Sequence, residues 1–295
     1  MNAPKNPDNV QAYLERQNAL GTLRFITCGS IDNGKSTLIG RMLFEAHSLF
    51  EDQVSTLQQD SRKHGTQGED LDFALLVDGL APEREQGITI DVAYRFFATK
   101  RRKFIVADTP GHSEYTRNMA TGASTATLAV ILIDASSGIM EQTRRHSIIC
   151  QWMGIRQIIL AVNKMDLVNY DEAVFAAISC EYEVFAAPLG FDRITPIALS
   201  ALKGDNITYR SSRMPWYKGP TLISKLETVP LNLRQTAAGF AMSVQSINRP
   251  DNRFRGYNGE ILSAPVHVGD EVRIAPKGAT SVIKKIWLAG VELAS

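Results

Sequence analysis

The sequence predicts an α/β domain with a mostly parallel sheet over residues 22–229, followed by a partial β-barrel domain over residues 230–295. Two observations carry the first part. For about two hundred residues, apolar runs of strand length alternate with amphipathic runs of helix length. Several of those strand runs end in turns rich in Gly, Asp and Asn, where open parallel sheets bind their ligands. A third observation carries the second part. Beyond Val229-Pro230 the runs become short and are punctuated by Gly and Pro, as in small antiparallel barrels.

The strand runs are residues 23–28, 92–97, 104–107, 128–133, 158–162 and 194–198, and helix-length segments at 35–46, 142–153 and 172–186 lie between them. Such alternation builds a parallel sheet with helices on both faces. Residues 92–97 and 104–106 flank the basic turn Lys100-Arg101-Arg102-Lys103, which implies a hairpin and one antiparallel edge strand. In the second domain the expected strands are 240–247, 259–262, 271–274 and 281–287. Residues 1–21 are read as an N-terminal extension.

Composition narrows the function classes. The 295 residues are 44% hydrophobic and 21% charged, an ordinary globular balance, and no run is long enough to span a bilayer. The net charge of +1 provides no basic field for nucleic acid or anionic lipid, and the basic turn is a solvated one. The first nine residues are polar, with two prolines and no signal-peptide core. Cys28, Cys150 and Cys180 lack metal-ligand spacing and read as packed thiols of a cytoplasmic protein.

The chemistry lies in four turns. Gly29-Ser30-Ile31-Asp32-Asn33-Gly34-Lys35-Ser36, followed by Thr37, fits the phosphate-loop pattern and sits between a strand and a helix. Its backbone N–H groups and the helix N-terminus attract phosphate oxygens. Lys35 can bridge the β- and γ-phosphates, and the Ser36 hydroxyl can ligate Mg²⁺. Asp108-Thr109-Pro110-Gly111-His112 ends the next core strand; Asp108 is placed to hold Mg²⁺ and the Gly111 N–H to sense the γ-phosphate.

Asn163-Lys164-Met165-Asp166 ends a third strand. An Asp166 carboxylate can accept from guanine N1–H and the 2-amino group, two donors that adenine lacks. Asn163 would bond the guanine edge and the Lys164 stem would cover the base and ribose. Ser200-Ala201-Leu202 follows the last strand, where the Ala201 N–H can meet the guanine oxygen. The segment Glu83-Arg84-Glu85-Gln86-Gly87-Ile88-Thr89-Ile90 supplies a switch, with Thr89 completing the Mg²⁺ shell. Four such turns in this order point to GTP, with Mg²⁺ as its cofactor.

Asp108-Thr109-Pro110-Gly111-His112 and Arg84-Glu85-Gln86-Gly87-Ile88-Thr89 resemble the translation-factor superfamily of GTPases, which includes elongation factor Tu. The resemblance implies that His112 orients the attacking water, with Lys35 and Thr89 as its catalytic companions. His47, His64, His146 and His267 fall in no such constellation and are read as packing or surface residues. Residues 73–80, 115–126 and Met214-Pro215-Trp216-Tyr217 are similar to the large subunit of bacterial sulfate adenylyltransferase, and the likeness covers about residues 20–290. That resemblance implies a heterodimer. A catalytic small subunit would join ATP and sulfate into adenosine 5′-phosphosulfate and diphosphate, while GTP hydrolysis on this chain drives the step. One phosphate loop and no second nucleotide signature agree with that division.

Three departures from the family stand out. Asn33 replaces an aspartate, which is expected to weaken repulsion of the triphosphate. Ala264-Pro265 replaces a barrel turn. The sequence reaches Ser295 where the family continues, so the barrel is expected to be incomplete and a fused adenosine 5′-phosphosulfate kinase is not expected. Two other readings stay open: an elongation factor that carries aminoacyl-tRNA, and a degenerate paralogue without activity.

Overall fold

The most apolar runs of the chain form its central strands, because a parallel sheet covered on both faces has no polar side to show. The computed structural model describes residues 20–46, 55–57, 61, 71–77, 89, 91–231, 239–249, 254–288 and 290–293. The chain divides into two units that meet between Leu231 and Asn232.

In the first unit, β1 (Thr22–Cys28), β2 (Ala93–Ala98), β3 (Lys103–Asp108), β4 (Leu128–Asp134), β5 (Gln157–Asn163) and β6 (Arg193–Ala198) form one sheet in the order β2-β3-β1-β4-β5-β6. β2 pairs antiparallel to β3 and all other pairs are parallel, so the expected hairpin and edge strand are both present. Every residue of β4 and β5 is buried. At the edge, Phe97 stacks on Phe104 at 4.7 Å between ring centres, and both rings meet Phe25 edge-on at 6.4 Å. That cluster fixes the hairpin to β1.

Among the described residues five α-helices accompany the sheet: α1 (Lys35–Glu45), α2 (Thr116–Ser124), α3 (Glu141–Trp152), α4 (Glu172–Ala186) and α5 (Leu222–Thr228). α1 buries Leu38, Ile39, Met42 and Leu43, one helical face. α4 starts where the Asp171 side chain accepts from the Ala173 N–H, an N-cap of the favoured type. The sequence pattern did not indicate α2 or α5. α2 has a Thr-, Gly- and Ser-rich composition of low helix propensity and is held by buried Met119, Gly122 and Ala123.

The basic turn is not wholly solvated. Arg102 Nη1 donates to the Leu226 and Val229 carbonyls at 2.8 and 2.6 Å, satisfying the end of α5. Cys28 and Cys150 are packed thiols as expected, with Sγ atoms 3.9 Å apart, but Cys180 is exposed on α4. Of the switch segment, only Thr89 lies among the described residues; His47, His64, residues 83–88, Ile90 and nearly all of the N-terminal extension lie outside them.

Among its described residues the second unit contains three antiparallel pairs: β7 (Met242–Asn248) with β8 (Gly256–Ile261), β9 (Glu271–Ile274) with β10 (Ala279–Val282), and β11 (Ile286–Leu288) with β12 (Val291–Leu293). The run expected as one strand at 281–287 is two. Ile283 leaves the ladder to bond the turn at 269–270, donating to the Asp270 carbonyl and accepting from the Gly269 N–H. Among the described residues the three pairs share no ladder, so they form a barrel-like domain without a closed sheet.

Candidate nucleotide-binding site

β1 is the point where the sheet order reverses, with β3 on one side and β4 on the other. Ligands of open α/β sheets bind outside the strand ends at such a point. There the chain turns from Cys28 through the glycine-rich loop into α1. Gly34 takes φ 83°, a left-handed conformation that a side chain disfavours, and a Cβ would also press on the Asn163 amide.

Lys35 folds back over the loop, its Nζ donating to the Ser30 and Gly29 carbonyls at 2.8 and 3.4 Å. Burial holds its ammonium below the ordinary value, with Asp108 opposing. Beneath the loop lies His146 of α3, fully buried, whose Nδ1 accepts from the Gly29 N–H at 3.2 Å. Burial, aided by the positive charges of Lys35 and Arg145, drives its pKa down to about 4. His146 is therefore a loop support and not simply a packing residue. The two partners lie 117 positions apart, and their contact left no trace in the sequence.

Three oxygen donors meet in front of α1. The Ser36 hydroxyl donates to Asp108 Oδ2 at 3.2 Å and stands 3.5 Å from Thr89 Oγ1. Asp108 is buried, and the Thr27 hydroxyl donates to its other oxygen at 3.4 Å. Burial pushes its carboxyl up to about 6 against the pull of Lys35, Ser36 and Thr27. A carboxylate and two hydroxyls are the ligand type of a hard divalent cation, so these residues fit Mg²⁺.

Asn163 ties three of the four motifs together. Its Nδ2 donates to the Asn33 carbonyl at 2.8 Å, and its Oδ1 accepts from the Ala201 N–H at 2.9 Å. The groups expected to meet the guanine edge are thus engaged with each other. The Asn33 side chain is buried and donates to the Leu132 carbonyl at 2.8 Å. It faces β4, so any contribution of Asn33 to phosphate binding comes through its backbone.

Lys164 adopts φ 60° and ψ 35°, and its Nζ pairs with Asp134 Oδ2 at 2.8 Å. Burial alone would raise the Asp134 carboxyl, but hydrogen bonds from Lys164 and Ser136 outweigh it and hold it below the ordinary range. The loop at 163–170 is braced from outside, where the Trp216 indole N–H donates to the Tyr170 carbonyl at 3.0 Å. Arg213 joins Asp205 and the Tyr170 hydroxyl at 3.1 and 3.2 Å. Residues 213–217 thus support the turn at 163–170.

These elements enclose one cavity of about 400 Å³. Its wall includes Ile31, Asp32, Gly34, Lys35, Ser36 and Thr37 at one end and Asn163, Lys164, Asp166, Ser200, Ala201 and Leu202 at the other. Thr89, Gly111 and His112 also reach it. Gly29, Ser30, Asn33, Asp108, Thr109, Pro110 and Met165 lie behind the wall and are buried. Thr109 donates to the Thr27 carbonyl at 2.7 Å, and Met165 sits in the core. Asp72, Ala74 and Leu167 line the cavity without having been singled out in the sequence. At the far end Asp166 Oδ1 is buried and has no hydrogen-bond partner. Such an atom carries a desolvation cost unless a ligand donates to it.

Comparison with known proteins agrees with this geometry. Residues 21–263 match the family described as Elongation factor Tu GTP binding domain. The chain is 59% identical over 287 residues to the bifunctional enzyme NodQ of Rhizobium sp., covering 97% of this chain and 44% of that protein. It is 56% identical over 282 residues to sulfate adenylyltransferase subunit 1 of Methylorubrum extorquens, covering 96% and 60%. Against the same subunit of Cellvibrio japonicus it is 55% identical over 278 residues, covering 94% and 59%. The chain therefore spans about half the length of these curated relatives. Among solved structures, the GTPase-like domain of S. cerevisiae Ski7 bound to GTP superposes with a TM-score of 0.63 at 17% identity, covering 97% of this chain and 69% of that one. A bacterial selenocysteine-specific elongation factor gives 0.52 at 22%, covering 93% and 40%. At those identities the structural likeness concerns the fold. On the match over residues 21–263, the chain belongs to the elongation factor Tu GTP-binding domain family.

Proposed function

We propose that this chain is the GTP-hydrolysing part of a sulfate adenylyltransferase, acting beside a catalytic partner subunit in the cytoplasm. The observation that carries the nucleotide reading is the orphaned Asp166 oxygen, set in the same cavity as the phosphate loop. Guanine offers two adjacent donors to that carboxylate, whereas adenine would present a lone pair. The identity of 53% to 59% to sulfate adenylyltransferase subunit 1 and its bifunctional relatives supports the coupled reaction over delivery of aminoacyl-tRNA. No helix among the described residues is long and apolar enough to cross a membrane.

In this reading Lys35 leaves the Ser30 and Gly29 carbonyls for the β- and γ-phosphates. Ser36, Asp108 and Thr89 would hold Mg²⁺, which when bound would neutralise charge on the phosphate oxygens. His112 stands on the cavity wall beside Gly111 and orients the attacking water. Water adds to the γ-phosphorus, the bond to the GDP oxygen breaks, and GDP and phosphate leave. On the partner, sulfate oxygen attacks the α-phosphorus of ATP and diphosphate departs, and GTP hydrolysis here drives that uphill exchange.

The test combines binding with product release. A fluorescent GDP is expected to be displaced by GTP and not by ATP. Sulfate-dependent diphosphate release is expected only with the partner present, and a non-hydrolysable GTP analogue is expected not to drive it. Equal displacement by ATP would overturn the base assignment, and robust diphosphate release by this chain alone would overturn the division of labour.

A further inference from the structure

We propose that Asp134, at the end of β4, is a positioning residue for nucleotide binding: it anchors the Lys164 ammonium so that the lysine stem stands over the base end of the cavity before nucleotide arrives. The inference rests on the reading of the cavity as a guanine-nucleotide site. The register of the sheet sets it up, since Asp134 pairs with Asn163 across β4 and β5 and Lys164 is the next residue. The Ala135 N–H donates to the Asn163 carbonyl at 2.9 Å, which holds the two strand ends together.

The two oxygens of Asp134 have separate tasks. Oδ1 accepts from the Ser136 N–H and hydroxyl at 2.8 and 2.6 Å, shaping the turn after β4. Oδ2 is left for Lys164 at 2.8 Å. A carboxylate needed only for the turn would require one oxygen. Asp134 is 8% exposed, so the pair is shielded from water on one side, while Lys164 reaches the cavity wall. A lysine side chain otherwise loses rotamer freedom when it packs along a ligand. Fixing the ammonium in advance removes that loss from the binding step, the general effect of preorganisation.

The test is a double-mutant cycle on the whole chain, read as the dissociation rate of fluorescent GDP. Asp134→Asn keeps an oxygen for Ser136 and removes the charge. It is expected to speed GDP release roughly three- to tenfold, an effect that shrinks at high salt. In a Lys164→Ala background the same substitution is expected to change the rate by less than about 1.5-fold, because the anchored group is gone. Asp134→Ala, read on the same cycle, serves as the second substitution. An unchanged rate with Asp134→Asn, or an equal acceleration with and without the Lys164 side chain, overturns the proposal, the latter by showing a purely structural role. A wild-type chain that binds no guanine nucleotide overturns the site assignment beneath it, a separate result.

Discussion

Protonating His146 is expected to release the phosphate loop and to weaken the fold by an amount the structure allows us to state. Its Nδ1 accepts from the Gly29 N–H, so the ring must be neutral there; a protonated ring would set two N–H groups face to face. Burial, with Lys35 and Arg145 nearby, brings the pKa from 6.5 to about 4. Between those values the unfolded chain binds the proton and the folded chain does not. Stability from this group is therefore complete above pH 6.5 and is lost as pH falls toward 4. At about 1.4 kcal/mol per pH unit, the gap amounts to about 3 kcal/mol.

Asp108 works in the opposite direction over nearly the same range. Its carboxyl rises from 3.8 to about 6, so the folded chain takes up a proton first and gains stability as pH falls. The wild-type profile alone would blur the two. The informative quantity is the difference between wild type and His146→Asn, whose amide oxygen can replace Nδ1 as acceptor and does not titrate. Urea unfolding followed by helical circular dichroism reports the first unit, since all described helices lie in it. The expected result is that the wild type loses about 3 kcal/mol relative to His146→Asn between pH 6.5 and 4. Parallel profiles for the two proteins would refute the assignment of His146 as a neutral acceptor.

Other substitutions address the cavity and its frame. Asp166→Asn is expected to weaken GTP binding at least about tenfold and to favour xanthosine triphosphate, whose 2-oxo group pairs with an amide; equal GTP affinity by titration would remove Asp166 from base selection. His112→Ala is expected to leave GTP affinity nearly intact while single-turnover hydrolysis falls roughly 10²- to 10⁴-fold, and an unchanged rate would exclude water orientation by this residue. Gly40 of α1 lies so close to the Phe73 carbonyl that an added Cβ would run into its oxygen. Gly40→Ala is expected to cost about 1–3 kcal/mol, measured as a lower unfolding midpoint, and an unshifted midpoint would show that the segment at 71–77 docks loosely.

The parts of the fold that the sequence made legible are those where one run of residues meets one environment. β4 and β5 are buried throughout and therefore apolar throughout, and α4 carries its own start signal in Asp171. The phosphate loop and the Asp166 turn were legible because each is a short contiguous pattern at the end of a strand. α2 was not, because its stability comes from the packing of Met119 and Ala123 and not from propensity. The second unit was only partly legible. Its strands are three to seven residues long, so a single departure such as Ile283 turning to Asp270 divides a run in two.

The cavity itself shows why motifs locate a site more readily than they describe it. Each motif names the residue that would touch the ligand, but the contacts that hold those residues come from elsewhere in the chain. Gly29 rests on His146, Lys164 on Asp134, and the loop after Asp166 on Trp216. Asn163 illustrates the point most directly. Read alone it is a base-recognition residue, yet here both ends of its amide are spent joining the phosphate loop to the turn at 200–202. Those bonds place the two ends of the cavity, proposed to take phosphate and base, on one rigid path. A nucleotide that matches one end is then held in register with the other, which makes the spacing between the loop and Asp166 a property of the protein rather than of the ligand.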